Sequence, residues 1–123
     1  FWKALKSDRT IMIAAASDES GDAQPMTAVL EEAEAGPIWI FTSSETNFAR
    51  DVGEVSDAVA QFASKGHDLF AALHGTIRVH NDRAVIDRLW NPFIAAWYKG
   101  KDDPVLHLLR YDLDRAHIWL NEN

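Results

Sequence analysis

The chain has no cysteine among its 123 residues. This absence excludes disulfides, zinc sites built on thiolates and cysteine nucleophiles, and it leaves the redox compartment open. Basic residues are also scarce. The chain has 12 Lys and Arg against 19 Asp and Glu, which gives a formal net charge of −7. Nucleic acids and anionic membrane surfaces attract basic proteins, so this charge argues against both as partners.

Long hydrophobic runs and the common catalytic motifs are missing as well. The apolar runs span only a few residues, far fewer than the roughly 20 that a transmembrane helix needs. The residues after Phe1 show no signal-peptide pattern, so we expect a cytoplasmic protein. No P-loop, Gly-x-Ser-x-Gly elbow or Rossmann fingerprint occurs, and the catalytic residues are therefore unknown.

The five histidines show no metal-binding pattern. No His-Glu-x-x-His pair is present. His74 and His80 belong to one predicted strand, and at roughly 3.3 Å per residue they lie about 20 Å apart, too far to share an ion. We therefore expect no metal site.

The sequence does contain enough apolar material for one folded domain. Hydrophobic residues make up 47% of the chain and charged residues 25%, and five tryptophans are present. These values are typical of an ordinary globular protein. A chain of this length buries about two thirds of its extended surface, so we expect a single domain over residues 1–123.

The residue pattern predicts a mainly β protein with helical insertions. Six or seven antiparallel strands are expected at residues 10–17, 23–32, 37–43, 56–64 and 68–81, with a bulge at Gly75, and in a closing pair at 106–113 and 116–121 joined through 112–115. Helices are expected over residues 1–7, from a Ser44 or Thr46 cap to about Val55, after Asp82, and from Pro92 after an Asn91 cap. A small barrel is favoured over an open sheet because edges this apolar would aggregate.

Five segments carry a resemblance to a known family: QPMT at 24–27, WIFTS at 39–43, HG at 74–75, DRAVIDRLWNPFIAAWYKGKDDP at 82–104 and IW at 118–119. In these segments the chain resembles the FMN-binding split-barrel proteins of the pyridoxamine 5′-phosphate oxidase-like superfamily, most closely the general stress protein 26 branch. The resemblance spans nearly the whole chain. It implies a split β-barrel that forms a homodimer, with each FMN site shared between the two subunits.

The resemblance also implies a function. It makes the chain a flavin-binding, stress-related protein and a flavin-dependent oxidoreductase, in which FMN supplies the chemistry while the protein orients it. FAD and a deazaflavin remain open as cofactors, because they share much of the ring system. The sequence does not identify the substrate, the electron donor or the electron acceptor, nor whether the chain continues beyond Asn123.

The resemblance places the cofactor phosphate at Thr42 and Ser43, which match the family's phosphate-contacting pair at the end of the third strand. Their hydroxyls can donate to a phosphate, and N–H groups at the start of the next helix add positive potential. The alternative is that these two residues only cap that helix.

The family's basic phosphate contacts are replaced in this chain by the neutral residues Gln24, Asn47 and Phe48. Losing two charge-assisted hydrogen bonds would weaken FMN binding by about 3–6 kcal/mol. Arg50 and Lys65 are candidate replacement cations, with the alternative that both are plain surface residues.

The flavin ring is predicted to lie against Met26 and Thr27, which match ring-lining strand positions of the family, and against the neighbouring Pro25 and Phe41. Trp97 is a candidate to stack on the ring. Core packing is the alternative for Met26 and Trp97.

A second function stays open alongside the redox function. The three neutral replacements favour a non-catalytic dimer that keeps the split barrel, has lost tight FMN binding and acts as a binding or scaffold module. Trp90 and Trp119 are further candidates to cover a ring from the partner chain, and core packing is the alternative for each of them.

Overall fold

The computed structural model describes residues 1–17, 22–31 and 36–120. Its strands are β1 (Thr10–Ala15), β2 (Gln24–Thr27), β3 (Ile38–Ser43), β4 (Val55–Ala63), β5 (Leu69–Val79) and β6 (Leu106–Leu120). Its helices are α1 (Trp2–Ser7), α2 (Asn47–Val52), α3 (Arg83–Leu89) and α4 (Pro92–Ala95). No helix in the described segments is long and apolar enough to cross a lipid bilayer.

The six strands form one antiparallel sheet that curls into a nearly closed barrel. Their order is β2-β1-β4-β5-β6-β3, so β2 and β3 are the two free edges that must meet for the barrel to close. They meet at one bridge just beyond β2, where the Val29 and Trp39 N–H groups each donate to the other residue's carbonyl, at 2.8 and 2.9 Å. The mainly β, split-barrel fold class expected from the sequence is thereby confirmed.

Two hydrophobic clusters hold the barrel and its helices together. The main cluster fills the barrel because inward residues alternate along β1, β4 and β5, and α2 adds Phe48 and Val52 to it. The second cluster lies outside the barrel, where Trp39 packs with Val85, Ile86, Leu89, Leu106 and Leu108. This second cluster fixes α3 against β3 and β6.

Polar side chains define where three of the helices begin. Thr46 accepts a hydrogen bond from the Ala49 N–H at 3.1 Å and so caps α2. Asp82 caps α3 and Asn91 caps α4 in the same way. These caps confirm the predicted helix starts. The end of α2 was predicted near Val55, which is too far along the chain. Gly53, with φ 60°, ends the helix at Val52.

Two strand predictions were wrong. β2 ends at Thr27 instead of continuing to residue 32. The predicted closing pair is one continuous strand, β6, although residues 112–115 are polar enough to suggest a turn. The predicted bulge at Gly75 is confirmed by a register shift between His74 and Gly75, and this irregularity lets β5 and β6 stay paired past the polar stretch. The predicted turn after residue 17 and the turn before Gly36 lie largely outside the described residues.

Tyr111 gives a prediction about alkaline stability. The residue is fully buried, and its hydroxyl lies 2.9 Å from the Ala58 carbonyl oxygen and 3.1 Å from that of Leu73. Burial, and then the charge of Asp114, raise the pKa of Tyr111 well above its usual value of 10.0. Because the folded-state pKa exceeds the unfolded one, this contribution to stability is complete below about pH 10 and is lost as the pH rises further.

We expect Tyr111→Phe to lower the free energy of unfolding at pH 7 by about 1 kcal/mol, the net value of one hydrogen bond. Its stability should also decline less steeply above pH 10 than that of the wild type. Urea unfolding followed by circular dichroism at several pH values measures both effects. Tyr98→Phe is the control that keeps Tyr111, and an alkaline decline as steep in Tyr111→Phe as in the wild type would contradict the prediction.

Candidate functional site

A cavity of about 470 Å³ opens between β2, β3, the start of α2 and the segment around α4. This volume lies in the range of small-molecule sites in proteins. Within the described parts of the chain, the residues that line it are uncharged, and they are Pro25, Met26, Thr27, Val29, Phe41, Thr42, Ser43, Thr46, Phe93, Ile94, Trp97 and Tyr98.

One end of the cavity carries hydroxyl groups. Thr42 is 5% exposed, and its Oγ1 lies 3.3 Å from Thr46 Oγ1. The Thr46 hydroxyl donates to the Ser43 carbonyl at 2.9 Å, so in the pair of threonines Thr42 must be the donor. Thr42 lines the cavity, and rotation of its hydroxyl would turn it into a donor for an anion there.

The rest of the cavity wall is apolar and largely aromatic. Phe41 packs edge-on against Trp90, with ring centroids 6.3 Å apart. Phe93 and Trp97 lie across the cavity on and just after α4 and are 84% and 83% exposed. Because Phe93 and Trp97 are so exposed, a flat ring has room to pack against them.

The carboxylate of Asp103 braces the loop after Trp97 from within. Asp103 accepts hydrogen bonds from the backbone N–H groups of Lys99 at 2.9 Å and Val105 at 3.1 Å, and these bonds lower the pKa of Asp103. Burial, and then the charge of Asp103, raise the pKa of Tyr98. Tyr98 therefore lines the cavity as a neutral phenol over the ordinary pH range.

A second apolar surface lies on the outer face of the sheet, and we call it the outer aromatic face. Met12, Val59, Phe70 and Trp119 are its members, each 39–50% exposed. Phe70 and Trp119 are directly paired across β5 and β6. His67 stacks on Phe70, and His117 stacks on Trp119 with ring centroids 4.0 Å apart.

Comparison with models of protein families shows which family the chain belongs to. The family model described as "Pyridoxamine 5'-phosphate oxidase like" matches residues 1–123. The chain belongs to the pyridoxamine 5′-phosphate oxidase-like family. This confirms the resemblance drawn from the five sequence segments. Comparison with curated proteins gave no significant match.

Solved structures of general stress proteins are similar to this pyridoxamine 5′-phosphate oxidase-like chain. A putative general stress family protein of Xanthomonas campestris pv. campestris is 54% identical, with a TM-score of 0.93 over 100% of this chain and 86% of that one. The general stress FMN/FAD binding protein of Xanthomonas citri is 53% identical, with a TM-score of 0.93 over 100% and 87%. A putative general stress protein 26 from Jannaschia sp. CCS1 is 28% identical, with a TM-score of 0.85 over 100% and 77%.

The cavity of this family member brings together seven of the residues predicted to bind the cofactor. These are Pro25, Met26, Thr27, Phe41, Thr42, Ser43 and Trp97. The other five, Gln24, Asn47, Phe48, Arg50 and Lys65, do not line it. Phe48 is 2% exposed and packs inside the barrel, so its ring does not occupy the mouth of the cavity. Arg50 lies in the last turn of α2, and Lys65 lies in the turn between β4 and β5.

Five of the described residues that line the cavity were missed from the sequence. They are Val29, Thr46, Phe93, Ile94 and Tyr98. Thr46 was one of two candidate helix caps, with Ser44, and its position four residues after Thr42 was the available signal for a shared hydroxyl site. The α4 residues carried no such signal, because their approach to β2 and β3 depends on how the helices pack on the barrel.

Proposed function

We propose that this chain is a flavin-binding, stress-related protein that uses FMN as an oxidoreductase cofactor, with residues 1–123 acting as one domain. The observation that carries the proposal is the cavity itself, which combines an aromatic wall with a hydroxyl-bearing end. The general stress FMN/FAD binding protein of Xanthomonas citri, 53% identical to this chain, supports it. A bound flavin would supply the redox chemistry, since no acid–base pair is needed from the protein for hydride transfer.

The residues of the cavity suit the two ends of FMN. Met26, Phe41 and Trp97 offer apolar surface to a flat ring and keep water away from it. Thr42 and Ser43 lie where a phosphate can accept hydrogen bonds from their hydroxyls. The chain thus orients the cofactor, and the neutral lining leaves the phosphate charge to be balanced by solvent or by a second chain.

One observation favours the alternative function, a non-catalytic dimer without tight flavin. Among the residues that the structure describes, none that lines the cavity is charged, and the two cations considered as replacements, Arg50 and Lys65, lie elsewhere in this chain. A doubly negative phosphate held only by neutral donors binds more weakly than one held by charge-assisted hydrogen bonds. On this alternative the cavity accepts a neutral ring ligand or serves only as an interface.

A visible absorption spectrum of the purified protein tests the redox proposal. We expect the two bands of an oxidised flavin, or their appearance with a spectral shift when FMN is titrated into colourless protein. Anaerobic reduction by a nicotinamide cofactor should then bleach the bands. A protein that stays colourless and shows no shift at high micromolar FMN would support the non-catalytic alternative.

We also propose that the chain forms a homodimer through the outer aromatic face. Apolar side chains of this size are normally covered by a partner surface when they lie together on one face. Residues 112–120 of β6 pair with β5 but not with β3, which pairs only with residues 106–111. A second copy would cover this unpaired edge and the exposed aromatic side chains beside it, which would otherwise invite aggregation.

Trp119→Asp is expected to convert the dimer into monomer, because it places a charge in the centre of an apolar interface. Sedimentation velocity gives the mass before and after the change. Val55→Asp is the matched control, since Val55 is a 57% exposed apolar residue at the start of β4 and outside the outer aromatic face. If the Trp119→Asp protein is still a dimer, the interface lies on another surface and the prediction is wrong.

A further inference from the structure

One wall of the cavity comes from a single stretch of the chain, residues 91–104, which we call the wall segment. It contains α4 and the loop after it, and it supplies Phe93, Ile94, Trp97 and Tyr98 to the cavity. The other described lining residues lie on β2 and β3, just after them, or at the cap of α2. The position of the wall segment therefore sets how open the cavity is on this side.

The wall segment buries few of its side chains. Ile94 is the buried residue of α4, and among the described residues it is part of neither hydrophobic cluster. Tyr98 is partly buried and packs against the second cluster, whereas Phe93 and Trp97 are exposed. Segments with few buried apolar contacts open at a lower free energy than the core of a domain. We therefore expect the wall segment to move more readily than the barrel.

Two ion pairs connect the wall segment to α3. The Arg83 guanidinium donates a hydrogen bond to Asp102, and the Lys101 ammonium nitrogen lies 2.9 Å from Asp87 Oδ1. Arg83 and Asp87 are also paired with each other along α3, with Nε and Oδ1 3.1 Å apart. The four side chains form one continuous series of alternating charge, which we call the α3–loop network.

The α3–loop network joins a fixed element to a loosely held one. The helix α3 is fixed, because its apolar side chains pack into the second hydrophobic cluster. In the loop, Asp103 accepts hydrogen bonds from the Lys99 and Val105 N–H groups, which keeps the two charged residues between them in a compact turn. The network therefore acts on the loop as a unit, and through the loop on Trp97 and Tyr98.

The ion pairs of the network are exposed and hence reversible. The side chains of Arg83, Asp87, Lys101 and Asp102 are 31–88% exposed. Exposed ion pairs are individually weak and are screened by salt. The network should therefore favour the closed position, in which the wall segment lies across the cavity from β2 and β3, without preventing the segment from opening.

We propose that Lys101 and Asp102, through their ion pairs with α3, are positioning residues that hold the wall segment closed and control how fast a ligand enters and leaves the cavity. The identity of that ligand as FMN rests on the proposed function. Because Phe93 and Trp97 belong to the wall segment, a flat ring packed against them is released when the segment moves away. Weakening the closed position should therefore accelerate both binding and release.

A pair of double variants with unchanged net charge tests the network in flavin-free, full-chain protein. Lys101→Gln/Asp102→Asn removes both connections between the wall segment and α3. Glu31→Gln/Arg88→Gln is the matched control, because it removes an ion pair of α3 with two 3.1 Å hydrogen bonds that lies outside the wall segment. Hydrogen exchange followed by mass spectrometry compares the two proteins with the wild type.

We expect peptides of the wall segment to exchange about two- to tenfold faster in Lys101→Gln/Asp102→Asn, the effect of losing two exposed ion pairs. The control variant should exchange like the wild type, and β4 should exchange equally slowly in all three proteins. Added salt should accelerate exchange of the wall segment in the wild type and have little effect in Lys101→Gln/Asp102→Asn. A network that only stabilised the whole fold would change the exchange of β4 as well.

Stopped-flow fluorescence with FMN measures the effect on the ligand. Lys101→Gln/Asp102→Asn should raise the association and dissociation rate constants by similar factors of about two to ten, so that the dissociation constant changes little. The proposal is overturned if the wall segment exchanges alike in both double variants, or if the FMN rate constants stay at wild-type values. It is also overturned if FMN affinity falls without faster release, which would indicate a damaged cavity. If the wild type binds no FMN, the proposed function fails, and the exchange experiment alone decides this inference.

Discussion

Thr42→Val is expected to weaken FMN binding about 10- to 100-fold and to leave riboflavin binding almost unchanged. Valine keeps the shape of threonine but removes the buried hydroxyl at the polar end of the cavity. A hydrogen bond to a charged group contributes roughly 1.5–3 kcal/mol, which corresponds to that factor. Riboflavin has no phosphate and therefore does not use the hydroxyl. Fluorescence titration of both ligands measures the difference.

Three further variants control for this result. Thr42→Ser keeps the hydroxyl and should retain most of the FMN affinity. Arg50→Ala removes a cation that does not line the cavity and should have little effect, as should Lys65→Ala. Equal losses for FMN and riboflavin in Thr42→Val would indicate damage to the cavity and not to a phosphate contact. A large loss in Arg50→Ala or Lys65→Ala would show that a cation reaches the phosphate in the assembled protein.

Gly75→Val is expected to prevent stable folding. A Cβ atom at this position would lie 2.1 Å from the carbonyl oxygen of Asp112 and 3.0 Å from the Cα of Leu113. Both are backbone atoms of β6, so they cannot move aside without breaking the β5–β6 ladder. The cost should exceed about 3 kcal/mol, a large part of the roughly 5–15 kcal/mol that stabilises a domain of this size.

Gly66→Ala is the matched control for Gly75→Val. A Cβ atom at Gly66 would meet only the side-chain carboxylate of Asp68, at 3.0 Å, and that group can rotate away. Thermal unfolding followed by circular dichroism should show a small shift for Gly66→Ala and no cooperative transition for Gly75→Val. A folded Gly75→Val protein with a wild-type melting temperature would mean that the strands do not approach so closely.

The strands were predictable where local pattern and burial agree. β3 was expected at residues 37–43 and lies at Ile38–Ser43, because an uncharged run of β-branched and aromatic residues is buried on both faces. β6 was not predictable as one strand. Its polar segment at 112–115 is typical of a turn, and only the pairing of β5 with β6 across the bulge keeps that segment extended. Pairing over a large sequence distance is not visible in local propensity.

The candidate site was predictable on the strand side and not on the helix side. Residues 25–27 and 41–43 are brought together by the barrel that the strand pattern implies. Phe48 was placed at the phosphate only because it stands at a position where the family carries a basic residue. The period of α2 turns its side chain into the core with Val52. The position of Phe93 depends on how α4 docks, and no short-range signal determines that.

The single bridge between Val29 and Trp39 has a consequence for ligand size. Among the described residues, these two hydrogen bonds are what joins the β2 side of the barrel to β3, and at a net 0.5–1.5 kcal/mol each they are inexpensive to break. The cavity lies against both strands, with 25–27 on one side and 41–43 on the other. Breaking this bridge would widen the cavity for a larger ligand while every other strand pairing stays intact. A barrel whose first and last strands were hydrogen-bonded along their whole length could not widen in this way.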